Sequence, residues 1–317
     1  MKRIAIVALL AATTSALAQT FPAKPVRVVV AFPAGGGTDI VARLLAPKLA
    51  DLWGQQVLVD NRAGASGVIG TEFAARSAPD GHTLFLGTLG NLAVNPHLIA
   101  KMPVDPLRDF APVTLVVAVH FVMVAHPSLP ARNVNELIAL ARSRPGEINY
   151  SSSGPGGAPH LAGELFKSMA KVNLVHVPYK GSAPSFQDLL GGQVSLTCDS
   201  LVQALPYVRE KRLVALAVLG AARTPLLPEV PTVAESLPGY ELTNWFGLVA
   251  PAAVSRAIVG KIHADVIKVL QDPGVSEKLA AMGATAVGNT PEQFGAMMRA
   301  DSEKWAKLIR EADIRAE

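Results

Sequence analysis

The sequence is poor in the residues that disulfide scaffolds and nucleic-acid-binding surfaces require. It has a single cysteine, Cys198, so no disulfide can form within the chain. Charged residues make up only 17% of the 317 positions, and Lys and Arg form no run, which argues against nucleic acid as a partner. Half the residues are apolar, which predicts a folded chain with a large core rather than disorder.

The first eighteen residues have the layout of a secretory signal. Lys2 and Arg3 precede an apolar run that ends in Ala16-Leu17-Ala18, so cleavage is expected before Gln19. The alternative is an N-terminal membrane anchor, but the apolar run is shorter than the ~20 residues that a span needs. We therefore predict a signal peptide over residues 1–18 and a soluble protein exported to the periplasm. Removal of the signal lowers the formal net charge from +4 to +2.

Short β-branched runs alternate with helical stretches, which predicts an α/β fold. Strands are expected at Val26–Phe32, Gln56–Arg62 and Gly81–Thr88, and one long strand at Val113–His126. Continuous Val and Leu runs between helices favour parallel strands covered on both faces. A mature chain of about 300 residues suggests two domains. The Pro-rich passage Arg223–Glu241 excludes long regular elements and is interpreted as a connector.

Two strand-to-helix turns are rich in glycine, Gly35–Gly37 and Gly154–Gly157. The first N–H groups of a helix lack intrahelical partners and carry a partial positive charge, so such turns suit a carboxylate or phosphate. Two lobes that each offer one helix N-terminus to a shared crevice would give this pattern. Thr38 adds a hydroxyl, whereas Asp39 is expected to cap its own helix. A tight turn that binds nothing is the alternative reading of these glycines.

Other chemistries lack their motifs. Ile40 stands where a dinucleotide-binding loop needs its third glycine, and no P-loop Gly-Lys-Ser/Thr follows. The histidines are scattered without metal-binding spacing, so no metal and no cofactor are expected. We expect His160 to bond locally, His82, His120 and His176 to be structural, and Cys198 to be a small buried residue.

A secreted α/β hydrolase that uses Ser66 or Ser153 is the competing class. The stretch Gly64–Gly67 resembles a nucleophile elbow, but Val68 replaces the final glycine of that motif. A catalytic site is therefore not predicted, and binding is favoured over catalysis.

Six segments in order along nearly the whole mature chain resemble one family. They are FPAGGGTDIVAR, VDNRAGASGVIGT, PDGHTLFLGT, YSSSGPGGAPHLAGELF, VPYKG and LPEVPTVAESLPGYE. Together they are similar to the extracytoplasmic solute receptors of tripartite tricarboxylate transporters, the Bug-type binding proteins. The resemblance implies a type II-like periplasmic-binding-protein (flytrap) fold with two lobes, each a mainly parallel sheet flanked by helices.

The resemblance also implies domain limits and partners. Lobe 1 would comprise residues 19–119 and 243–317, and lobe 2 residues 120–242, with hinges near Val117–Phe121 and Leu242–Phe246. The expected partners are a small carboxylate ligand and the integral membrane components of a transporter, and the receptor is expected to be a monomer. A receptor that reports its loaded state to a signalling protein is an open alternative.

The family's ligand-binding positions map onto thirteen residues of this sequence. They are Phe32, Ala34, Gly35, Gly36, Thr38, Asp39, Thr88, Asn91, Ser152, Ser153, Gly154, Gly156 and Asp199. Two alternatives stay open for Asp199: it accepts a hydrogen bond from an ammonium or hydroxyl group of the ligand, or it caps the turn that follows it.

Overall fold

The structure is a computed structural model that describes residues 21–311 and Ile314. The strands are β1 (Val26–Val30), β2 (Val57–Asn61), β3 (Thr83–Thr88), β4 (Phe110–Val119), β5 (Phe121–Ala125), β6 (Asn149–Ser152), β7 (Val175–Pro178), β8 (Leu196–Ser200), β9 (Val214–Val218), β10 (Asn244–Pro251) and β11 (Ala284–Ala286). The helices are α1 (Gly37–Trp53), α2 (Val68–Ala75), α3 (Asn95–Leu98), α4 (Pro106–Asp109), α5 (Val134–Ser143), α6 (Ala158–Ala170), α7 (Ser182–Leu190), α8 (Leu201–Arg209), α9 (Arg256–Gln271), α10 (Pro273–Ala281) and α11 (Pro291–Glu311).

The strands form two sheets. The first has the order β11-β4-β10-β3-β1-β2, and the second has the order β7-β6-β8-β5-β9. The chain leaves the first sheet at His120, between β4 and β5, and returns to it at β10. The proposed hinge segments are these two passages between the sheets.

The prediction of one long strand over Val113–His126 is wrong. The run is interrupted at His120, and the two halves belong to different sheets, since β4 pairs with β10 and β11 whereas β5 pairs with β8 and β9. The polar His120 separates two apolar, buried halves, so the composition predicts a strand on each side of it but not that the two strands join different sheets.

The predicted pair of helix-flanked α/β sheets is confirmed, with four of the six strands of the first sheet and four of the five strands of the second running in one direction. Strand β1 runs parallel to β2 and β3, and β6 runs parallel to β7 and β8. By contrast, β10 is antiparallel to β3 and β4, and β5 is antiparallel to β8 and β9. Each of β5 and β10 is the first strand after the chain changes sheet, and each inserts between two strands that run the other way.

Apolar strands buried on both faces form the core. Every residue of β5, β8 and β10 is buried, as are four of the five residues of β1. Helix α1 packs Val41, Leu45 and Leu49 into the core cluster of the first sheet. Full burial of each such side chain contributes about 1.5–3 kcal/mol, so these contacts fix the start of α1 relative to β1.

Local predictions outside the site have clear outcomes. The Pro-rich segment Arg223–Glu241 contains one three-residue 3-10 turn, Val233–Glu235, and otherwise irregular chain. The predicted signal, residues 1–18, lies outside the described residues. Within residues 21–311, no helix combines the length and apolar character needed to cross a membrane.

Four strand-to-helix connections matter for the site. They lead from β1 to α1, from β6 to α6, from β7 to α7 and from β8 to α8. The N-terminus of each helix therefore follows the carboxyl end of a strand, which is where open α/β sheets place their ligands.

Candidate functional site

A narrow cavity lies where loops of the first sheet meet loops of the second. It encloses about 440 Å³ of space free of protein atoms, counting solvent at its mouth. Its lining consists of Phe32, Gly36, Gly37, Thr38, Thr88, Phe121, Ser153, Gly157, Ala158, Pro159, Ser182, Asp199, Ser200, Asn244 and Phe246.

Four helix N-termini converge on this cavity. The lining includes Gly37 and Thr38 of α1, Ala158 and Pro159 of α6, Ser182 of α7, and Ser200, which precedes α8. Sequence reasoning anticipated two of these termini. Each contributes roughly half a positive charge and N–H groups without intrahelical partners, so together they favour an anion.

Glycine precedes three of the four helices. Gly36, Gly157 and Gly181 are the N-cap residues of α1, α6 and α7, and none provides a side-chain cap. The fourth helix differs, because Ser200 Oγ accepts a hydrogen bond from Val202 N. Glycine caps leave room for a ligand to supply the acceptor that a Ser or Asp side chain would otherwise provide.

The polar side chains of the lining are mostly neutral. Hydroxyl groups come from Thr38, Thr88, Ser153, Ser182 and Ser200, and no Lys, Arg, His or Glu is among the lining residues. The single ionisable side chain in the lining is Asp199. A ligand anion here would be held by dipoles and hydroxyl groups rather than by an ion pair.

Asp199 is buried at the carboxyl end of β8. Its side chain is 2% exposed, and its Oδ1 accepts a hydrogen bond of 2.6 Å from Ser200 N. Its Oδ2 is buried and has no hydrogen-bond partner among the described residues. Burial raises the pKa of Asp199 to about 6, although the nearby Ser182 hydroxyl and the Ser200 N–H favour the charged form.

The turn before α1 is held from behind by Asp39. Its Oδ2 accepts hydrogen bonds from Gly35 N and Arg43 Nε, both 2.9 Å long, and Asn61 Nδ2 donates to its Oδ1. Burial opposes ionisation of Asp39, but these donors outweigh it and lower the pKa of the carboxyl group. Asp39 therefore stabilises the turn before its own helix. The prediction that it caps α1 is wrong, because it accepts from Gly35 N and from side chains rather than from an N–H group of the helix, and it does not line the cavity.

The turn before α6 is held by two histidines. His160 Nδ1 accepts a 3.2 Å hydrogen bond from Gly156 N, which confirms the expected local bond. Ser152 Oγ accepts from Gly154 N and also bonds His176 Nε2 at 2.7 Å. The centroids of the two imidazole rings lie 4.4 Å apart, so the buried His160 and the half-buried His176 together support the second glycine turn.

Six of the thirteen predicted residues line the cavity. They are Phe32, Gly36, Thr38, Thr88, Ser153 and Asp199. The other seven do not line it, namely Ala34, Gly35, Asp39, Asn91, Ser152, Gly154 and Gly156. Ala34 and Gly35 lie exposed on their turn. Direct ligand contact by any of the seven stays a prediction.

Asn91 does not line the cavity but bonds a residue that does. It is 1% exposed, and its Oδ1 accepts a 3.0 Å hydrogen bond from Thr88 Oγ1. Asn91 N in turn donates to Thr88 Oγ1. Asn91 thus orients the Thr88 hydroxyl, which does line the cavity.

Sequence reasoning missed several lining residues. Ser182 follows the VPYKG segment at a third strand-to-helix turn with glycine before it, so the same pattern could have revealed it. Gly37 and Gly157 lie within the two glycine turns themselves. Nothing local marks Asn244 and Phe246, because they reach the cavity only through the return of β10 to the first sheet.

The structure gives no support to a catalytic serine at Ser66 or Ser153, the positions that a hydrolase would use. The serine that pairs with His176 is Ser152, which is fully buried, and not Ser66 or Ser153. Cys198 is also fully buried, as predicted, and burial raises the pKa of its thiol well above the usual range. In the described part of the chain, no group of His, Cys, Asp and Glu side chains is arranged to hold a metal ion.

Comparison with known proteins identifies one family. The model of the tripartite tricarboxylate transporter family receptor matches residues 41–314. The protein BugT of Bordetella pertussis (strain Tohama I) is 40% identical over 296 residues, covering 93% of this chain and 91% of that protein.

Solved structures agree with that family. Rpa4515 of R. palustris, solved with adipate, is 38% identical with a TM-score of 0.91 over 93% of this chain and 99% of that chain. MatC (Rpa3494) of Rhodopseudomonas palustris, solved with bound malate, is 32% identical with a TM-score of 0.88 over 91% of this chain and 100% of that chain.

Proposed function

Because this chain belongs to the tripartite tricarboxylate transporter receptor family, we propose that it captures a small carboxylate in the cavity between its two sheets. After export to the periplasm, the loaded receptor delivers the ligand to the integral membrane components of a transporter. The proposal involves no catalysed step and no cofactor.

The observation that carries the proposal is the convergence of four helix N-termini on a cavity without a basic side chain. The N–H groups of α1 and α6, together with the hydroxyl groups of Thr38 and Ser153, supply neutral donors for one carboxylate. A network of this kind binds an anion while avoiding the strong ion pair that would slow its release. The relatives solved with adipate and malate support a carboxylate as the ligand class.

Capture requires the two lobes to move relative to each other. We expect the lobes to separate for ligand entry, because residues of both sheets line the cavity. We propose that lobe 1 (residues 19–119 and 243–317) and lobe 2 (residues 120–242) rotate about the chain passages at His120 and Thr243. Periplasmic binding proteins are an established example of such hinge closure, and ligand contacts made only in the closed state would drive it.

Titration calorimetry tests the ligand class. The purified protein is titrated with mono- and dicarboxylates, including adipate and malate, and in parallel with neutral sugars and with cationic amines that lack a carboxylate. We expect saturable binding among the carboxylates alone. Binding of sugars or amines, with no carboxylate bound, would refute the proposed function.

A further inference from the structure

Asp199 lines the cavity and has one carboxylate oxygen without a hydrogen-bond partner in this structure. Its Oδ1 accepts a hydrogen bond from Ser200 N, its Oδ2 is buried with the Ser182 hydroxyl nearby, and the residue is 2% exposed. A buried carboxylate oxygen without a donor costs free energy, so a ligand that supplies a donor would recover it. None of the side chains that line the cavity is basic, so the protein itself supplies no cation there.

A second acceptor lies in the same cavity. Asn244 Oδ1 is buried and without a partner, and Asn244 lines the cavity. Asn244 pairs with Val119 in the first sheet, and Ser200 pairs with Phe121 in the second. Asn244 and Ser200 therefore lie on either side of His120, where the chain passes from one sheet to the other. Three phenyl rings, those of Phe32, Phe121 and Phe246, complete this surface. Aromatic faces and acceptor oxygens favour a donor group, and an ammonium most of all.

We propose that Asp199 is a specificity residue that selects carboxylates carrying a second group able to donate a hydrogen bond, an ammonium or a hydroxyl. The inference rests on the proposed function, since the ligand's carboxylate is taken to lie at the helix N-termini while its donor group bonds Asp199 Oδ2. Asp199 would thus require a hydrogen-bond donor on the ligand, which the helix N-termini alone do not require.

The charges in the cavity are consistent with this assignment. Four helix N-termini supply roughly two positive charges in total, and Asp199 with one ligand carboxylate would supply two negative charges. Since burial raises the pKa of Asp199 to about 6, the carboxylate form still predominates at pH 7.5. A donor from the ligand stabilises that form, whereas a second ligand carboxylate facing Oδ2 would be repelled.

The variant Asp199→Asn should change the preference rather than simply abolish binding. Ser200 N–H still needs an acceptor, so the amide oxygen takes the place of Oδ1 and the NH2 group takes the place of Oδ2. An acceptor directed into the cavity then becomes a donor. The variant should favour ligands with an acceptor at that point.

Two matched series of acids serve as probes. Succinate, malate and aspartate share a four-carbon skeleton and carry hydrogen, hydroxyl or ammonium at one carbon. Butyrate, 3-hydroxybutyrate and 3-aminobutyrate repeat the comparison with a single carboxylate. Affinities are measured by titration calorimetry at pH 7.5 for the wild type, Asp199→Asn and the control Asp188→Asn. The control removes one carboxylate side chain from α7 that does not line the cavity. In the wild type, Asp188 Oδ2 accepts a hydrogen bond from the Tyr179 hydroxyl.

We expect the wild type and Asp188→Asn to bind at least one donor-bearing acid about tenfold or more tightly than its parent, the value of one hydrogen bond to a charged group. The tighter of the hydroxyl and ammonium members identifies which donor the site uses. Asp199→Asn should lose or reverse the preference, and its thermal unfolding verifies that it is folded. If that variant does not fold, the order of wild-type affinities within each series of acids tests whether a donor group is preferred.

Equal wild-type affinity for the parent and donor-bearing acids, or a preference that survives in folded Asp199→Asn, overturns the role of Asp199 alone. Tighter binding of succinate than of malate and aspartate overturns it too, since the donor group would then weaken binding rather than strengthen it. If neither these acids nor the wider carboxylate panel bind the wild type, the proposed function itself is wrong.

Discussion

The Nδ1 atom of His160 accepts a hydrogen bond from the backbone N–H of Gly156 at a distance of 3.2 Å. A side chain in the first turn of α6 thereby holds the glycine turn that precedes its own helix. The bond requires a neutral ring, and burial lowers the pKa of His160 to about 4, with nearby Glu164 opposing the shift.

This neutral ring predicts a loss of stability in acid. Below pH 6.5 the unfolded chain binds a proton at His160 that the folded chain does not bind until about pH 4. The free energy of unfolding should therefore fall by about 3 kcal/mol through this group between those pH values, and by no more below them. In His160→Asn, denaturant unfolding from pH 7 to pH 4 should lack this contribution. The same pH dependence in wild type and variant would show that another group is responsible.

Substitution of Gly36 separates helix stability from ligand affinity. Asp is a favourable N-cap residue, so Gly36→Asp should leave the free energy of unfolding unchanged or raise it by a few tenths of a kcal/mol. Its carboxylate would occupy the N–H groups of α1 and weaken carboxylate binding by at least about tenfold. Calorimetry measures the ligand affinity, and denaturant unfolding of the same samples measures the free energy of unfolding.

Gly36→Ala is the matched control for that variant. A Cβ atom at position 36 would lie 3.6 Å from Pro33 O, an ordinary contact, and it adds no acceptor. The alanine variant should keep its affinity within about threefold of the wild type, a change below 1 kcal/mol. Wild-type affinity in Gly36→Asp would place the ligand away from α1.

Gly90 provides a test of lobe closure. A Cβ atom at Gly90 would lie 3.2 Å from Gly156 O and 3.4 Å from the Cα atom of Gly157, both in the turn before α6, and 3.4 Å from Thr88 Oγ1 in its own lobe. Gly90→Val should therefore hold the lobes apart and weaken ligand binding, with a smaller effect on thermal unfolding. Small-angle scattering should show no ligand-induced decrease in the radius of gyration.

The control for the closure test is Gly260→Val on α9, where a Cβ atom meets nothing within 4 Å. That variant should compact on ligand binding as the wild type does. Compaction of Gly90→Val to the wild-type extent would contradict the proposed closure.

The Thr38 hydroxyl is expected to contribute directly to binding. Thr38 is 5% exposed and lines the cavity in the first turn of α1. Thr38→Val keeps the shape of the side chain and removes the donor, so affinity should fall by about five- to tenfold, the value of one neutral hydrogen bond. Thr38→Ser restores the hydroxyl and should restore most of the affinity, as measured by calorimetry. Unchanged affinity in Thr38→Val would remove this hydroxyl from the site.

The amino-acid sequence by itself determined the local structure. Residue type and spacing predicted the glycine turns before α1 and α6. The same patterns predicted irregular chain at Arg223–Glu241 and the local bond of His160. These features depend on backbone preferences within a few residues, which the sequence carries directly.

Tertiary structure alone decided which distant segments meet. The membership of β4 and β5 in different sheets, the antiparallel entry of β5 and β10, and the position of Asn244 in the cavity depend on strand pairing between residues far apart in the chain. The same holds for the convergence of four helix N-termini where the sequence indicated two. Buried apolar strands have similar composition whichever sheet they join, so packing and pairing over long range, rather than local preference, fixed the geometry around Asp199.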